Sequence, residues 1–156
     1  MTAEIEHTVA SAEPRGLVVW ITGRPSSGKT TFAAGARRAL LDAGHPVVVL
    51  DGDEVRESIV PAHGYGPADR AAFYSTLARL AALLSRQGLI VVVAATAHRE
   101  SFRREARERA GVLLQVYVDT AKEECESRDD KGLYARARAG EIGALPSADF
   151  EVPAEP

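Results

Sequence analysis

Four runs of consecutive apolar residues, rich in β-branched side chains, punctuate the chain: Leu17 to Ile21, Val47 to Leu50, Leu89 to Ala94 and Leu113 to Val118. None alternates apolar with polar, so each predicts a strand covered on both faces. The segments between them carry helical spacing. Lys29 to Asp42 places Phe32, Ala36, Ala39 and Leu40 on one side, and Gly44 with Pro46 ends it. Pro67 opens a second helix with a stripe of Phe73, Leu77, Leu80 and Leu84, closed by Gly88. Arg99 to Ala110 is charged and helix-favouring, and its arginines between Phe102 and Arg109 alternate with glutamates as a solvated face would. Thr120 with Glu123 predicts a capping box for a short helix containing Cys125, and Leu133 to Ala139 predicts another after the turn Asp129-Asp130-Lys131-Gly132. Strands alternating with helices specify βαβ units. The expected fold is therefore α/β, a mainly parallel sheet with helices on both faces in three layers. Met1 to Arg15 shows no apolar period and reads as a flexible arm ahead of a single domain over 16–156, whose last stretch from Gly140 is irregular and proline-containing.

Composition narrows the class. With 156 residues and 46% hydrophobic content, the chain can bury one substantial core. Its 22 acidic and 19 basic side chains leave a formal net charge of -3, which argues against a dedicated nucleic-acid binder. A single cysteine, Cys125, excludes an intramolecular disulfide and fits a reducing cytoplasm, where it is expected to pack as a small apolar side chain. No apolar run approaches the length that ~30 Å of hydrocarbon requires, and the acidic start has no leader pattern, so neither membrane nor export is expected. His45 and His63 lie in turn-like contexts without metal-ligand spacing, and His98 follows the third strand, where a structural role is favoured.

The chemistry begins after the first strand. Gly23-Arg24-Pro25-Ser26-Ser27-Gly28-Lys29-Thr30 fits G-x-x-x-x-G-K-[ST] and leads directly into a helix. Gly23 and Gly28 permit torsions that let successive N–H groups, including those of Ser26, Ser27 and Thr31, converge on phosphate oxygens at a positive helix end. Lys29 can reach the β and γ phosphates, and the Thr30 hydroxyl can ligate magnesium. Motors, switch GTPases and small-molecule kinases share this motif. The chain lacks any asparagine, hence the N-K-x-D guanine signature, and it is short for a motor. At the end of the second strand, Asp51-Gly52-Asp53-Glu54-Val55-Arg56 faces the same crevice in a doubly wound sheet. Asp51 could activate an acceptor hydroxyl, Asp53 could help hold hydrated Mg2+ or substrate, and Arg56 could bind an anionic group; the alternative is a solvated acidic turn.

These segments together resemble the adenylylsulfate kinase (APS kinase) family. The likeness is carried by Val19-Trp20-Ile21-Thr22-Gly23 through Thr31, by Asp51-Gly52-Asp53 with Arg56, by Gly64-Tyr65 and Asp69-Arg70, and above all by Val116 to Ile142, VYVDTAKEECESRDDKGLYARARAGEI. It covers Gly16 to about Pro153. The resemblance implies a P-loop fold that uses MgATP to phosphorylate the ribose 3′-hydroxyl of adenosine 5′-phosphosulfate (APS), giving 3′-phosphoadenosine 5′-phosphosulfate (PAPS) and ADP. It implies Lys29 and Asp51 as catalytic, Arg56 and Arg70 as phosphosulfate contacts, and Tyr65 in place of a phenylalanine that stacks on adenine. Thr96 keeps a substrate-side hydroxyl, and Arg128, Lys131, Arg136 and Arg138 belong to a lid-like segment around 128–142 that closes on nucleotide phosphates.

Departures cluster on the acceptor side. Where the family continues E-x-N-I-R-R, this chain has Ala71-Ala72-Phe73-Tyr74-Ser75-Thr76, so Phe73 replaces an amide. The family's I-S-P-[FY]-R appears as Ala95-Thr96-Ala97-His98-Arg99, and Leu145 stands where an aromatic wall is usual. The acceptor is therefore less firmly specified than ATP. The alternatives are a related kinase acting on a hydroxyl of another nucleotide or small metabolite, or a nucleotide-binding regulator without phosphotransfer. Beyond such a small-molecule acceptor no nucleic-acid or membrane partner is expected, and a homodimer is left open.

Overall fold

A computed structural model describes residues 16–143, 145–146 and 149–154; the expected N-terminal arm lies outside the described residues. Ten elements follow in order: β1 (Leu17–Thr22), α1 (Lys29–Asp42), β2 (Val47–Asp51), α2 (Gly52–Ser58), α3 (Pro67–Arg86), β3 (Ile90–Ala94), α4 (Glu100–Arg109), β4 (Leu113–Tyr117), α5 (Lys122–Ser127) and α6 (Leu133–Arg138). The four strands form one parallel sheet in the order β2-β3-β1-β4. β1 lies between β3 and β4, with Trp20 opposite Val93 on one side and Gln115 on the other. All-parallel pairing needs crossovers that cover both faces, and the continuous apolar runs are the sequence counterpart of that cover.

Each face has its own core. On one, Val18, Trp20, Val91 and Val93 pack with Phe73, Leu77, Ala78 and Ala81 of α3 and Ala106 of α4. On the other, Val19, Ile21, Val92 and Ala94 pack with Ala33 of α1. α1 runs over the residues expected, but its phase differs. Ala33 is buried, Ala36 and Leu40 are half-buried, and Phe32 and Ala39 are exposed. Two of the four expected positions, Ala36 and Leu40, therefore face the sheet with Ala33, and small residues bring α1 onto it.

Three other expectations are corrected. The acidic segment after β2, for which a solvated turn is the alternative, is helix: Asp51 caps α2 by accepting a bond from the Asp53 N–H at 2.9 Å. Thr120 forms no capping box; Ala121 caps α5 without a side-chain bond, and the Thr120 hydroxyl donates to Ser27 O at 2.9 Å. Finally, α4 does not present all its arginines to water. Arg103 is 1% exposed and donates from Nη1 to Ala97 O at 2.8 Å and from Nη2 to Glu151 O at 2.6 Å. The C-terminal segment supplies that acceptor from far along the chain, a contact no local periodicity reveals.

Candidate functional site

The carboxyl ends of the strands gather the residues singled out by their motifs. β1 delivers the chain at Thr22 into Gly23, where an added Cβ would lie 2.7 Å from Ser27 Oγ and 2.8 Å from Val118 O, so only glycine fits. The loop turns through a hydrogen bond from Ser27 N–H to Arg24 O at 3.2 Å, with Ser26 (φ 61°) and Gly28 (φ 97°) both left-handed. Gly28 is the N-cap of α1, and its carbonyl accepts the first helical bond from Phe32 N–H at 2.9 Å. This is a fourteen-residue helix whose unpaired N-terminal amides open on the loop, the arrangement that binds phosphate. The Ser27 hydroxyl is buried without a hydrogen-bond partner among the described residues.

Neighbouring elements hold the loop in shape. Thr120 grips Ser27 O, and the Tyr134 hydroxyl of α6 donates to Pro25 O at 3.0 Å. Arg24 donates to the Tyr117 hydroxyl at 3.2 Å and lies 5.4 Å from the Phe150 ring, which stacks on Tyr117. None of these props was found from the sequence; Thr120 and Tyr134 belong to the family-like stretch, but their role is visible only across the fold.

Lys29 folds back over the loop and donates to Gly23 O at 3.0 Å and Arg24 O at 2.7 Å. Burial lowers its pKa to about 8, opposed by the nearby Asp53, Cys125 and Asp51. Beside it, the Thr30 hydroxyl donates to Asp51 Oδ2 at 2.7 Å, while Asp51 Oδ1 accepts from Asp53 N–H. Both oxygens of that carboxylate are thereby oriented, and P-loop helix and β2 end are joined. Asp53 Oδ2 is taken by Lys131 Nζ at 2.7 Å, a bridge from the first turn of α2 to the segment before α6. It is exposed on both sides and adds little stability by itself. Thr31 is exposed on α1.

The acceptor-side residues divide. Arg56 is buried between two rings, its guanidinium carbon 3.7 Å from the Phe73 centroid and 4.7 Å from that of Tyr65. Tyr65 is 69% exposed, and Arg70 is half-buried in the first turn of α3. Thr96 is half-buried, and its carbonyl accepts from the Thr22 hydroxyl at 2.7 Å. The lid-like cations are spread over the surface: Arg128 pairs with Glu124, Arg138 with Glu126 at 2.7 Å, and Arg136 with Glu141 at 3.6 Å. His98 and Cys125 are buried, as structural roles require, and His98 packs against Tyr74 and Phe102. Leu145 is half-buried.

A family model described as adenylylsulphate kinase matches residues 15–156. The chain belongs to that family. Among relatives, an adenylyl-sulfate kinase of Picosynechococcus is 40% identical over 146 residues, covering 92% of this chain and 82% of the relative. One from Paraburkholderia xenovorans is 41% identical over 142 residues, covering 89% and 79%. The Mycobacterium tuberculosis APS kinase CysC, solved in complex with AMPPNP and APS, superposes with a TM-score of 0.86 at 40% identity, over 92% of this chain and 86% of that one. A gluconokinase from Sinorhizobium meliloti, 20% identical with a TM-score of 0.58, shares the fold alone. The α/β class and the P-loop expectation therefore hold, and as a member of this family the chain is an ATP-dependent phosphotransferase that acts on a hydroxyl. Among the described residues no helix is long and apolar enough to cross a membrane.

Proposed function

We propose that this protein transfers the γ-phosphoryl group of ATP to the ribose 3′-hydroxyl of adenosine 5′-phosphosulfate, producing PAPS and ADP. The observation that carries the reading is the junction of Thr30 with Asp51: a carboxylate anchored by two hydrogen bonds beside a formed phosphate loop, in a chain about 40% identical to adenylyl-sulfate kinases over nine-tenths of its length.

In this reading the amides of Gly23, Ser26, Gly28, Thr30 and Thr31 hold the triphosphate, Ser27 shapes the loop through its N–H bond to Arg24 O, and Lys29 exchanges its two loop carbonyls for phosphate oxygens. Its lowered pKa makes the exchange favourable, since an ammonium in a dry site gains most from an anion. Asp51 accepts the proton of the 3′-hydroxyl as that oxygen bonds to the γ phosphorus; the bond from the γ phosphorus to the β–γ bridging oxygen breaks, and its electron pair leaves on ADP. Oxygen donors at Thr30 and Asp53, with Asp51 adjoining, suit magnesium, which binds through one or two protein oxygens together with water and phosphates. When bound, the ion supplies charge neutralisation for the phosphates.

Arg56, Arg70, Tyr65 and Thr96 form the acceptor side, and Lys131 and Arg128 the lid around 128–142. Lys131, paired with Asp53, links that lid to the first turn of α2 beside Asp51, so its closure excludes water from the phosphate being moved. The test is ADP release with APS beside a panel of nucleotides and hydroxylated metabolites. Stimulation by APS at low micromolar to millimolar concentration is expected; stimulation only by another compound transfers the reading to that acceptor, and ATP binding without acceptor-dependent turnover marks a regulator.

A further inference from the structure

Arg56 is a cation buried to 9% exposure for which no carboxylate partner occurs among the described residues. Such a charge is costly unless its environment answers it. Here the answer is two aromatic faces and two carbonyls. The Phe73 ring lies 3.7 Å and the Tyr65 ring 4.7 Å from the guanidinium carbon, and Nη1 donates to Gly64 O at 2.8 Å and His63 O at 3.3 Å. A flat guanidinium is suited to this setting in a way an ammonium is not.

Phe73 itself is 2% exposed, with its edge contacts to His63 (6.3 Å between centroids) and Tyr74 (5.4 Å). It lies under Arg56 and is closed off from any small molecule entering the crevice. The aromatic at this position therefore does not substitute for a substrate-binding amide by touching substrate. It acts on the arginine above it.

We propose that Phe73 is a positioning residue of the acceptor side: its ring sets the plane of the Arg56 guanidinium, and Arg56 thereby clamps the 63–65 backbone that carries Tyr65. Nη1 is committed to the two loop carbonyls. Any anion that Arg56 engages must then be met by Nη2 and Nε, and the ring beneath decides where that fork points. One departure from the family pattern becomes a device that orients another of its residues. The kinetic part of this inference rests on APS being the acceptor; the clamp on the loop does not.

The experiment compares Phe73→Leu, which stays apolar but removes the aromatic face and three carbon atoms, with Phe73→Tyr, which keeps the ring. Steady-state kinetics with APS and ATP, thermal melts, and hydrogen exchange of a peptide covering 59–66 are measured on each. For Phe73→Leu the expected result is a rise of about tenfold in KM for APS, with KM for ATP and kcat within about twofold, and faster exchange in 59–66. Phe73→Tyr restores both. Unchanged KM for APS with unchanged exchange overturns the proposal, as does a parallel rise of both KM values with a collapsed melt. If the unaltered protein shows no dependence on APS, the functional reading fails separately; the exchange comparison then decides the clamp, and equal exchange in all three proteins refutes it.

Discussion

Replacing Asp51 by asparagine separates the two tasks that its carboxylate performs. The side chain caps α2 through Oδ1, which accepts from Asp53 N–H at 2.9 Å, and it accepts the Thr30 hydroxyl on Oδ2 at 2.7 Å. Asparagine caps a helix about as well as aspartate, so the first task survives. The amide oxygen can replace only one carboxylate oxygen, and the hydrogen bond from Thr30 loses its charged acceptor; bonds to charged groups exceed neutral ones by roughly 1 kcal/mol. Stability should therefore fall by only about 1 kcal/mol, or ~2–4 °C in melting temperature for a chain of this size. The second task is lost, because an amide takes no proton from an alcohol. Removing a general base costs about a hundred- to ten-thousand-fold in rate, equivalent to about 3–5 kcal/mol of transition-state stabilisation. The assay is ADP release under saturating ATP and acceptor, beside nucleotide binding by calorimetry and a melt. The expected pattern is nearly normal nucleotide affinity, a near-normal melt and kcat down by at least a hundredfold. A kcat within threefold of the unaltered protein refutes Asp51 as the base, and a melt lowered by ~10 °C refutes the division of tasks.

Lys29→Ala should abolish phosphotransfer, since its ammonium is held on the loop carbonyls of Gly23 and Arg24; turnover within tenfold of normal would remove it from the catalytic set. With its pKa lowered to about 8, Lys29 is partly deprotonated in the nucleotide-free protein at pH 8.5 and should take up a proton when phosphates bind, visible as a buffer-dependent calorimetric enthalpy that vanishes in Lys29→Ala. Arg103→Met should lower stability by about 3–5 kcal/mol and the melting temperature by roughly 10 °C, because Ala97 O and Glu151 O are left without the buried donor that serves them; a shift under ~3 °C would contradict this. Burial, then the positive Arg70 and Arg99, lowers the His98 pKa to about 4. The unfolded chain then binds more protons between pH 4 and 6.5, so stability rises with pH across that window. Denaturant titrations should lose ~3 kcal/mol on acidification from pH 7 to pH 4, and His98→Phe should flatten that limb.

The strands and the two long helices were readable because their signals are local. Unbroken Val and Ile runs need cover on both faces, and Pro67 and Gly88 bracket α3. The phosphate loop was readable because its chemistry requires glycine at fixed offsets. α2 was not, since Gly52-Asp53-Glu54 resembles a turn until Asp51 is seen capping it, and seven residues give too short a window for periodicity. Thr120 looked like a cap because its spacing to Glu123 is right; a partner 93 residues away claimed its hydroxyl instead. The same long-range cause hid the burial of Arg103 and the stack of Arg56 on Phe73. Of the candidate site, the residues gathered at the strand ends were legible, while the props that hold Pro25 and Ser27 were not.

Phosphorus NMR of the reaction with ATP, magnesium and APS tests the account most directly. The predicted result is one new monoester resonance on the ribose 3′-oxygen for each ADP formed, with the phosphosulfate signal intact and the new signal growing at least a hundredfold more slowly in Asp51→Asn. Loss of ATP at the same rate with and without APS, or phosphate appearing on any other oxygen of the acceptor, would contradict it.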